Sequence, residues 1–489
     1  MQRFLQYING VFEEGASSFE SLDPASGQPW ALMPAAGPAD VDRAVRAAHD
    51  ALHAPAWAGL TASARGGLLR RLGDLLSEAA PRLAALETRD TGKIIRETGG
   101  QIAYIAQYYH YYAGLADKFA GQHVPVDKPD MEVFLRREPI GVVAALVPWN
   151  SQLFLSAVKL GPALAAGCTV VLKAAEDAPA PLLEFARLVH EAGFPPGVVN
   201  IITGTGADCG QVLTSHPLVA RVAFTGGPET ARHIVRNTAD NLAYVTLELG
   251  GKSPVIAFAD ADLDNVCNAV ISGIFAASGQ SCVAGSRLLV QRPLLAPLLA
   301  RLCEKAAAIR IGAPDDTGTQ MGPLATRRQQ SRALALVRES VAQGAQLLCG
   351  GSVPDGFGGG FYFAPTILYC ENSDLPCVRE EFFAPVLSVL AFDTEEEAIA
   401  IANDSKFGLA AGVFTRDLAR AHRLVRSVRA GVVWVNTYRA ISPMVPFGGF
   451  GESGLGREGG AEAILDYTRT KSVWLNLSDA PLPDPFVMR

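Results

Sequence analysis

Apolar residues recur at helical spacing between Pro38 and Leu115, as in the run Leu68, Leu69, Leu72, Leu75 and Leu76. A repeat near the helical period of about 3.6 residues puts such side chains on one face, so this stretch is predicted to be helical. From Gly141 to Gly227 the pattern changes to short β-branched runs separated by helical stretches. That alternation predicts a parallel sheet with helices on both faces, which binds ligands beyond the carboxyl ends of its strands.

A second α/β series follows from Val255 to Val435. Two segments stand apart from it: residues 122–138 read as a projecting hairpin, and Thr470 to Leu477 reads as a late strand. Exposed strands present unpaired backbone groups that seek partners. We therefore expect a homo-oligomer, a dimer or a tetramer, formed through these strands.

Composition narrows the class of protein. The chain has 489 residues, which is too long for one compact core, and 19% of them are charged, with a formal net charge of -7. This balance gives no electrostatic reason to expect a nucleic acid or an anionic membrane as partner, and favours a small-molecule ligand. The first residues do not resemble a secretion signal, and no segment stays apolar for about 20 residues, so a cytoplasmic location is expected.

The eight cysteines are scattered, without a Cys-x-x-Cys pair or histidines at zinc spacing, so no metal site is expected. Most should be reduced, buried side chains. Cys282 differs because it lies in a small-residue turn between Gly279 and Gly285, where a substrate can approach a nucleophilic thiolate closely. Upstream, Glu248 precedes Leu249-Gly250-Gly251 and is a candidate base.

Seven motifs occur in a fixed order along the chain: Pro148-Trp-Asn150, Lys173-Ala-Ala-Glu176, Phe224-Thr-Gly-Gly227, Leu247-Glu-Leu-Gly-Gly-Lys252, Phe275 to Cys282, Glu380-Glu-Phe-Phe383 and Pro446 to Gly454. Carrying them, the chain resembles the NAD(P)-dependent aldehyde dehydrogenase superfamily from about Asn9 to about Leu477. The resemblance implies an α/β fold with a doubly wound parallel-sheet NAD-binding domain, a second α/β catalytic domain and a small β oligomerisation extension. The expected ranges are 1–117 and 138–250, then 251–445, then 118–137 with 446–489.

The resemblance also implies the catalytic roles. Cys282 matches the nucleophile that attacks the aldehyde carbon, and the Asn150 amide with the Cys282 backbone N–H matches the donor pair for the oxyanion. Glu248 matches the general base that activates water to hydrolyse the thioester. Family members that transfer the acyl group to coenzyme A lack this base, so Glu248 favours hydrolysis to the free acid.

Lys159 and Glu458 match positions proposed to pass protons away from the general base. The alternative is that both are ordinary solvated charges, a lysine on an amphipathic helix and a glutamate after Arg457. Both interpretations stay open on the sequence alone.

For the cofactor, Lys173 and Glu176 match positions that hold the adenosine ribose, at the end of a predicted strand. Glu176, with Asp177 beside it, would repel a 2'-phosphate, so NAD is expected rather than NADP. Gly227 and Ala231 depart from the usual Ser and Gly. Glu381 and Phe383 match residues around the nicotinamide ribose, although a helix cap and a core phenylalanine are simpler alternatives. The remaining expected cofactor contacts are Pro148, Trp149, Gly206, Phe224, Thr225, Gly226, Leu249 and Gly250.

The resemblance predicts a mostly apolar substrate tunnel, suited to a medium-sized or aromatic aldehyde. Ser151-Gln152 replaces the common Phe-Pro after Asn150. Arg439 enters the tunnel loop, where it either clamps the carboxylate of a semialdehyde or faces water. The predicted lining residues are Trp149, Tyr109, Phe154, Leu155, Ser281, Val283, Arg439, Ile441 and Phe447.

Two other classes of function are compatible with parts of this pattern. A non-catalytic binding protein could keep the fold, but would not need Cys282, Glu248 and Asn150 together. A cofactor-independent cysteine hydrolase would need a base for its thiol, and none of the eight histidines lies in a recognisable partner motif. Dependence of turnover on NAD distinguishes the three.

Overall fold

The computed structural model describes residues 1–482 and 484–487. Two large sheets, of eight and seven strands, each carry helices on their faces, and a separate three-stranded antiparallel sheet projects from them. The predicted α/β fold class is therefore confirmed. No helix in the described part of the chain is both long enough and apolar enough to cross a bilayer.

The first sheet has a parallel centre built from the predicted β-branched runs, which are buried throughout because helices cover both faces. In spatial order its strands are Gly454–Leu455, Tyr244–Leu249, Val219–Gly226, Val142–Leu146, Thr169–Ala174, Val199–Thr203, Gln6–Ile8 and Val11–Glu13. Its helices are Pro38–His53, Pro55–Ala58, Ala62–Thr91, Ile95–Leu115, Gln152–Ala166, Ala180–Ala192, Val212–Ser215, Pro228–Asn241 and Ala463–Asp466.

The junction between the helices Ala62–Thr91 and Ile95–Leu115 holds Lys93. The helix Ala62–Thr91 begins where the Thr61 hydroxyl accepts a hydrogen bond from the Ala64 N–H, and it ends at Gly92, whose φ of 78° is left-handed. A Cβ on Gly92 would lie 2.8 Å from Pro323 Cγ, so glycine is required there on two counts. Lys93 is thereby held between the helix ends.

The second sheet is also mostly parallel and forms the other large unit. Its strands, in spatial order, are Gln346–Cys349, Thr366–Tyr369, Val386–Phe392, Arg287–Gln291, Pro254–Ala257, Ala410–Phe414 and Val432–Val435. Its helices are Leu263–Phe275, Arg292–Ala307, Arg327–Ala342, Pro376–Arg379, Glu395–Asn403 and Leu418–Ser427. A small sheet of Gln2–Arg3, Gln28–Ala35 and Ser17–Asp23 and a pair of Phe407–Gly408 with Phe450–Gly451 complete the regular structure.

The predicted hairpin and the predicted late strand pair with each other. Gln122–Val124 and Met131–Pro139 form the hairpin, and Thr468–Asn476 runs antiparallel to its second strand along the whole length. Within the range 446–489 expected for the extension, Gly454–Leu455 pairs with the strand Tyr244–Leu249 of the first sheet. The segment expected to be an oligomerisation element thus also returns to the first unit.

Candidate active site

One cavity of about 670 Å³ is lined by residues of both large units. The first unit contributes the ends of its strands, including Thr225 and Glu248, and the second contributes Cys282 and Trp434. This is where a parallel sheet is expected to bind a ligand, beyond the carboxyl ends of its strands. None of the described residues that line the cavity is a histidine, which removes the usual base of a cofactor-independent cysteine hydrolase.

Cys282 follows the helix Leu263–Phe275 through a tight bend. Gly279 has a φ of 72°, and a Cβ there would lie 2.3 Å from the backbone carbon of Ala384, so this bend requires glycine. The thiol is half-buried, and burial raises its pKa to about 12, with smaller contributions from the negative charges of Glu381 and Glu248. The thiol therefore needs a base to become nucleophilic at neutral pH.

Asn150 lies in the turn Trp149–Ser151 that follows the strand Val142–Leu146. Its side-chain Nδ2 donates a hydrogen bond to the Gln280 carbonyl oxygen at 3.0 Å, which fixes the amide two residues from Cys282. The Asn150 amide nitrogen carries two hydrogens, so one remains for an oxyanion. The predicted pairing of Asn150 with Cys282 is thus geometrically available.

Glu248 lies near the end of the strand Tyr244–Leu249 and is buried. Neither carboxylate oxygen has a hydrogen-bond partner among the described residues. Burial raises its pKa well above the ordinary value, and the charge of Glu458 raises it further. Gly448 leaves room for it, because a Cβ at that position would lie 2.7 Å from Glu248 Oε1.

Lys159 and Glu458 form a buried ion pair, 2.5 Å from Lys159 Nζ to Glu458 Oε1. Lys159 also donates to the Thr225 hydroxyl at 2.8 Å and is fully buried, while Glu458 is 5% exposed. The interpretation of these two residues as solvated surface charges is therefore wrong. Glu458 lines the cavity together with Glu248.

The predicted adenosine end of the cofactor site is open. Lys173 Nζ lies 3.4 Å from Glu176 Oε2, and the Glu176 side chain is 48% exposed. Asp177 is paired instead with Arg328 at 2.7 Å, so its charge is offset. A Cβ at Gly206 or Gly227 would meet no atom of the described residues within 4 Å. Gly227 precedes the helix Pro228–Asn241, whose free N–H groups favour an anion.

At the other end, Glu381 accepts a hydrogen bond from the Gly251 N–H at 3.0 Å, and burial raises its pKa to about 7. A Cβ at Gly250 would lie 2.0 Å from Glu381 Oε2, so the carboxylate occupies the space that this glycine leaves. Trp149 contacts the ring of Phe383 edge-on at 5.4 Å. The buried carboxylate and the open glycine surfaces fit a dinucleotide with a ribose at each end.

The other predicted cofactor residues are distributed around these two ends. Leu249 lines the cavity, and Thr225 lines it while accepting the Lys159 hydrogen bond. Phe224 is buried behind Gly226, where a Cβ would lie 2.3 Å from its ring. Pro148 directly precedes the turn Trp149–Ser151.

Most of the predicted tunnel residues line the cavity: Phe154, Leu155, Ser281, Val283, Arg439, Ile441 and Phe447. Tyr109 and Trp149 do not line it: Tyr109 is fully buried and stacks on Phe185 at 6.1 Å, and Trp149 packs against Phe383. Tyr108, the neighbour of Tyr109, lines the cavity instead, because one residue along the helix Ile95–Leu115 turns the side chain by about 100°. The sequence motif placed the right helix but the wrong face.

Sequence reasoning missed the polar side chains of the cavity wall, Lys93, Glu97 and Gln101. Glu97, Gln101 and Tyr108 share one face of the helix Ile95–Leu115, at spacings of four and seven residues. That polar stripe on a helix with a buried apolar face was the signal available in the sequence.

Known proteins that are similar to this chain include aldehyde dehydrogenases and a related dehydrogenase, which agrees with the geometry of the cavity. The model of the aldehyde dehydrogenase family matches residues 12–473. A (Z)-2-((N-methylformamido)methylene)-5-hydroxybutyrolactone dehydrogenase of Acinetobacter baylyi is 62% identical, with 100% of both chains covered. The NAD⁺ complex of an aldehyde dehydrogenase from Bacillus cereus is 40% identical, with a TM-score of 0.95, and 98% of this chain and 97% of that one are covered.

A betaine aldehyde dehydrogenase from Staphylococcus aureus in complex with NAD⁺ is 36% identical, with a TM-score of 0.97, covering 99% of this chain and 96% of that one. These similarities extend over almost the whole chain, so they concern both large units and the cavity between them. The chain therefore belongs to the aldehyde dehydrogenase family, whose members are oxidoreductases that oxidise aldehydes.

Proposed function

We propose that the protein oxidises an aldehyde to the free carboxylic acid with NAD, through a covalent intermediate on Cys282. The observation that carries the proposal is that Cys282 and an unpaired, buried Glu248 line the same cavity, beside the fixed amide of Asn150. When bound, the nicotinamide ring supplies the hydride acceptor.

In the first half-reaction, the Cys282 sulfur attacks the aldehyde carbon after losing its proton. Glu248 is the proposed proton acceptor, since its raised pKa makes it a stronger base than an ordinary carboxylate. The free N–H of the Asn150 amide and the Cys282 backbone N–H stabilise the developing oxyanion. Loss of hydride then leaves a thioester on Cys282.

In the second half-reaction, Glu248 takes a proton from the water that hydrolyses the thioester. Neither oxygen has a hydrogen-bond partner among the residues that the structure describes, so both can bind that water. The buried pair of Lys159 and Glu458 is a proposed route for the proton beyond Glu248. This use of Glu248 favours hydrolysis over transfer of the acyl group to a thiol.

The preference for NAD rests on Glu176. Its half-exposed carboxylate can accept hydrogen bonds from the ribose hydroxyls and would repel a 2'-phosphate. Asp177 adds less than its charge suggests, because Arg328 pairs with it. The NAD⁺ complexes of the Bacillus cereus and Staphylococcus aureus relatives support the same preference.

For the substrate, we propose an aldehyde that also carries a carboxylate. The Acinetobacter baylyi relative is named for a substituted 5-hydroxybutyrolactone, and opening of such a ring gives a short chain with an aldehyde at one end and a carboxylate at the other. Arg439 lines the cavity, and its Nη1 donates to the Ser272 carbonyl oxygen. The other N–H groups of its guanidinium can then donate to that carboxylate. A medium-sized apolar or aromatic aldehyde is the alternative, favoured by Phe154 and Phe447 in the wall.

We also propose a homo-oligomer that forms through the three-stranded sheet. Trp474 and Leu475 of its strand Thr468–Asn476 are 53% and 42% exposed, and because neighbouring strand residues point to opposite faces, each face of the sheet exposes an apolar side chain that a partner could cover. Light scattering at working concentration tests this, and a monomer would contradict it.

The test of the activity is NADH formation over a panel of aliphatic, aromatic and carboxylate-bearing aldehydes, with NAD and NADP in parallel. We expect NADH with NAD, fastest with the carboxylate-bearing aldehydes. A folded protein that forms no NADH with any member of the panel would contradict the proposal.

A further inference from the structure

A group of polar side chains on the cavity wall is not used by the chemistry proposed above. Lys93, Gln101 and Ser151 line the cavity together, and we refer to them as the donor patch. Lys93 comes from the junction after Gly92, Gln101 from the helix Ile95–Leu115, and Ser151 from the turn that carries Asn150. Ser151 stands where the resemblance leads one to expect phenylalanine.

Two of the three hydrogen bonds within the patch end on Ser151. Lys93 Nζ donates to Gln101 Oε1 at 2.8 Å and to Ser151 Oγ at 3.3 Å. Gln101 Nε2 donates to the same Ser151 Oγ at 3.3 Å. The oxygen of Ser151 therefore accepts from two neighbours at once, which uses both of its lone pairs.

What remains unused in the patch is donor capacity. The Ser151 hydroxyl hydrogen has no acceptor among the described side chains and backbone groups, and Gln101 Nε2 keeps a second hydrogen. Ser151 is half-buried at the cavity surface, so these hydrogens face the space in which a substrate lies. The free donors of Ser151 and Gln101 favour a ligand with a hydrogen-bond acceptor at this part of the wall.

The net charge of the donor patch indicates whether the acceptor it binds is neutral or anionic. Lys93 is 5% exposed and forms an ion pair with the buried carboxylate of Glu87, so its positive charge is balanced inside the protein. A neutral donor patch gains no charge attraction for an anion, and binds a neutral carbonyl oxygen without having to desolvate a carboxylate. Arg439 is the cavity cation with no such buried acid as a bonded partner among the described residues.

We propose that Ser151 and Gln101 bind a neutral carbonyl oxygen of the substrate and so select aldehydes that carry a second carbonyl group. This inference rests on the proposed function and names a further part of its substrate. Ser151 directly follows Asn150, and both line the cavity, so the second carbonyl lies a few bonds from the aldehyde carbon. A phenylalanine at position 151 would offer no hydrogen bond there.

The test compares two aldehydes of matched shape, 4-oxopentanal and 4-methylpentanal, which differ in a carbonyl oxygen replaced by a methyl group. The measured quantity is the ratio of their kcat/KM values with NAD. We expect the native protein to prefer 4-oxopentanal by about tenfold and Ser151→Ala to lower that ratio severalfold, as expected for loss of one of the two hydrogen bonds. Ser151→Thr keeps the hydroxyl and should keep the preference.

Ser442→Ala is the matched control, because Ser442 also lines the cavity but its hydroxyl accepts from the Met444 N–H of its own loop. It should leave the ratio unchanged. Gln101→Met provides a second variant in case Ser151→Ala does not fold, and should also lower the ratio. 4-Oxobutanoate serves as the anionic arm, and its kcat/KM should depend on Arg439 rather than on Ser151.

A native ratio near one, or a ratio that Ser151→Ala and Gln101→Met leave unchanged, would overturn the inference while the proposed function stands. A larger loss for 4-oxobutanoate than for 4-oxopentanal in Ser151→Ala would show that the patch reads an anion and would also overturn it. No NADH from any of the three aldehydes would overturn the proposed function and this inference with it.

Discussion

Two buried carboxylates line the same cavity, and their surroundings differ. Glu458 is bonded to the ammonium group of Lys159, whereas neither oxygen of Glu248 has a partner among the described residues. Burying an unpaired carboxylate is unfavourable, so the Glu248 pKa rises. The difference indicates that Glu248 is held ready to bind a proton or a water, and that Glu458 sets the electric field around it.

The two carboxylates can act in catalysis as proposed only if Cys282 is the nucleophile. Cys282→Ala should lower NADH formation by at least about 10³-fold with every aldehyde, because no other group replaces the nucleophile. Cys267→Ala is the matched control, since that thiol is buried in the core and does not line the cavity. Equal activity of the two variants would remove the thiol mechanism.

Glu248→Gln removes the carboxylate that has no hydrogen-bond partner among the described residues. We expect steady turnover to fall by about 10² to 10⁴-fold, as for loss of a general base. A burst of NADH in the first turnover should remain if Glu248 acts mainly in hydrolysis. Rapid-mixing measurement of NADH checks this, and loss of burst and turnover together would assign Glu248 to activation of the thiol instead.

Glu458→Gln removes the paired carboxylate, and its effect should appear in the pH profile of turnover. The base form of Glu248 is the deprotonated one, so turnover should rise with pH through its raised pKa. Removing the Glu458 charge removes one cause of that rise in pKa, and the freed Lys159 charge acts in the same direction. The acid limb of the turnover profile should therefore move to lower pH.

The same variant leaves Lys159 buried without its ion partner, which should lower the free energy of unfolding by about 3–5 kcal/mol. Glu452→Gln is the control for loss of a charge, because Glu452 forms only half-exposed ion pairs with Arg232 and Lys406. An unchanged pH profile in Glu458→Gln would show that the two carboxylates are not coupled.

Arg439→Ala tests the other charged group of the cavity. KM for an anionic aldehyde should rise by about tenfold, the effect of losing one charge-assisted hydrogen bond, while KM for a neutral aldehyde changes little. Steady-state kinetics with a matched pair of aldehydes measures this. Equal effects on both would discard Arg439 as a carboxylate clamp.

The smallest expected effect lies at the open end of the cofactor site. Glu176→Gln should improve the ratio of NADP to NAD efficiency by about fivefold, since it removes a half-exposed charge near the 2'-hydroxyl. Asp177→Asn should change that ratio less, because Arg328 already offsets the Asp177 charge. Equal shifts in the two variants would show that Arg328 does not matter.

The sequence predicted those strands and helices whose burial shows in the pattern of neighbouring residues. The runs Val142–Leu146 and Thr169–Ala174 are mostly β-branched or small, and every position in them is buried, because a central parallel strand is covered on both faces. The strands before Pro38 were not predicted, since residues 2–35 alternate weakly and depend on pairing with one another and, for Gln6–Ile8, with the distant strand Val199–Thr203. Motifs named Cys282, Glu248 and Asn150, and the structure brings all three to one region.

What the sequence did not predict depends on long-range placement. Lys159 and Glu458 meet across 299 residues, so no local pattern reveals that both are buried. Tyr108, and not the predicted Tyr109, lines the cavity because of the rotation of the helix about its axis. The spacing of residues in the sequence predicts that rotation only to within one residue. Lys93 lies in a helix junction whose partner Glu87 is visible only in three dimensions.

The pairing of Met131–Pro139 with Thr468–Asn476 has a consequence for synthesis of the chain. As the polypeptide emerges from the ribosome, the hairpin is finished more than three hundred residues before its third strand, and Glu458 likewise arrives long after Lys159. During that interval a strand edge and a buried lysine lack their partners, and such edges promote aggregation of nascent chains. Slow translation of the second unit should therefore raise the demand for chaperones more than slow translation of the first.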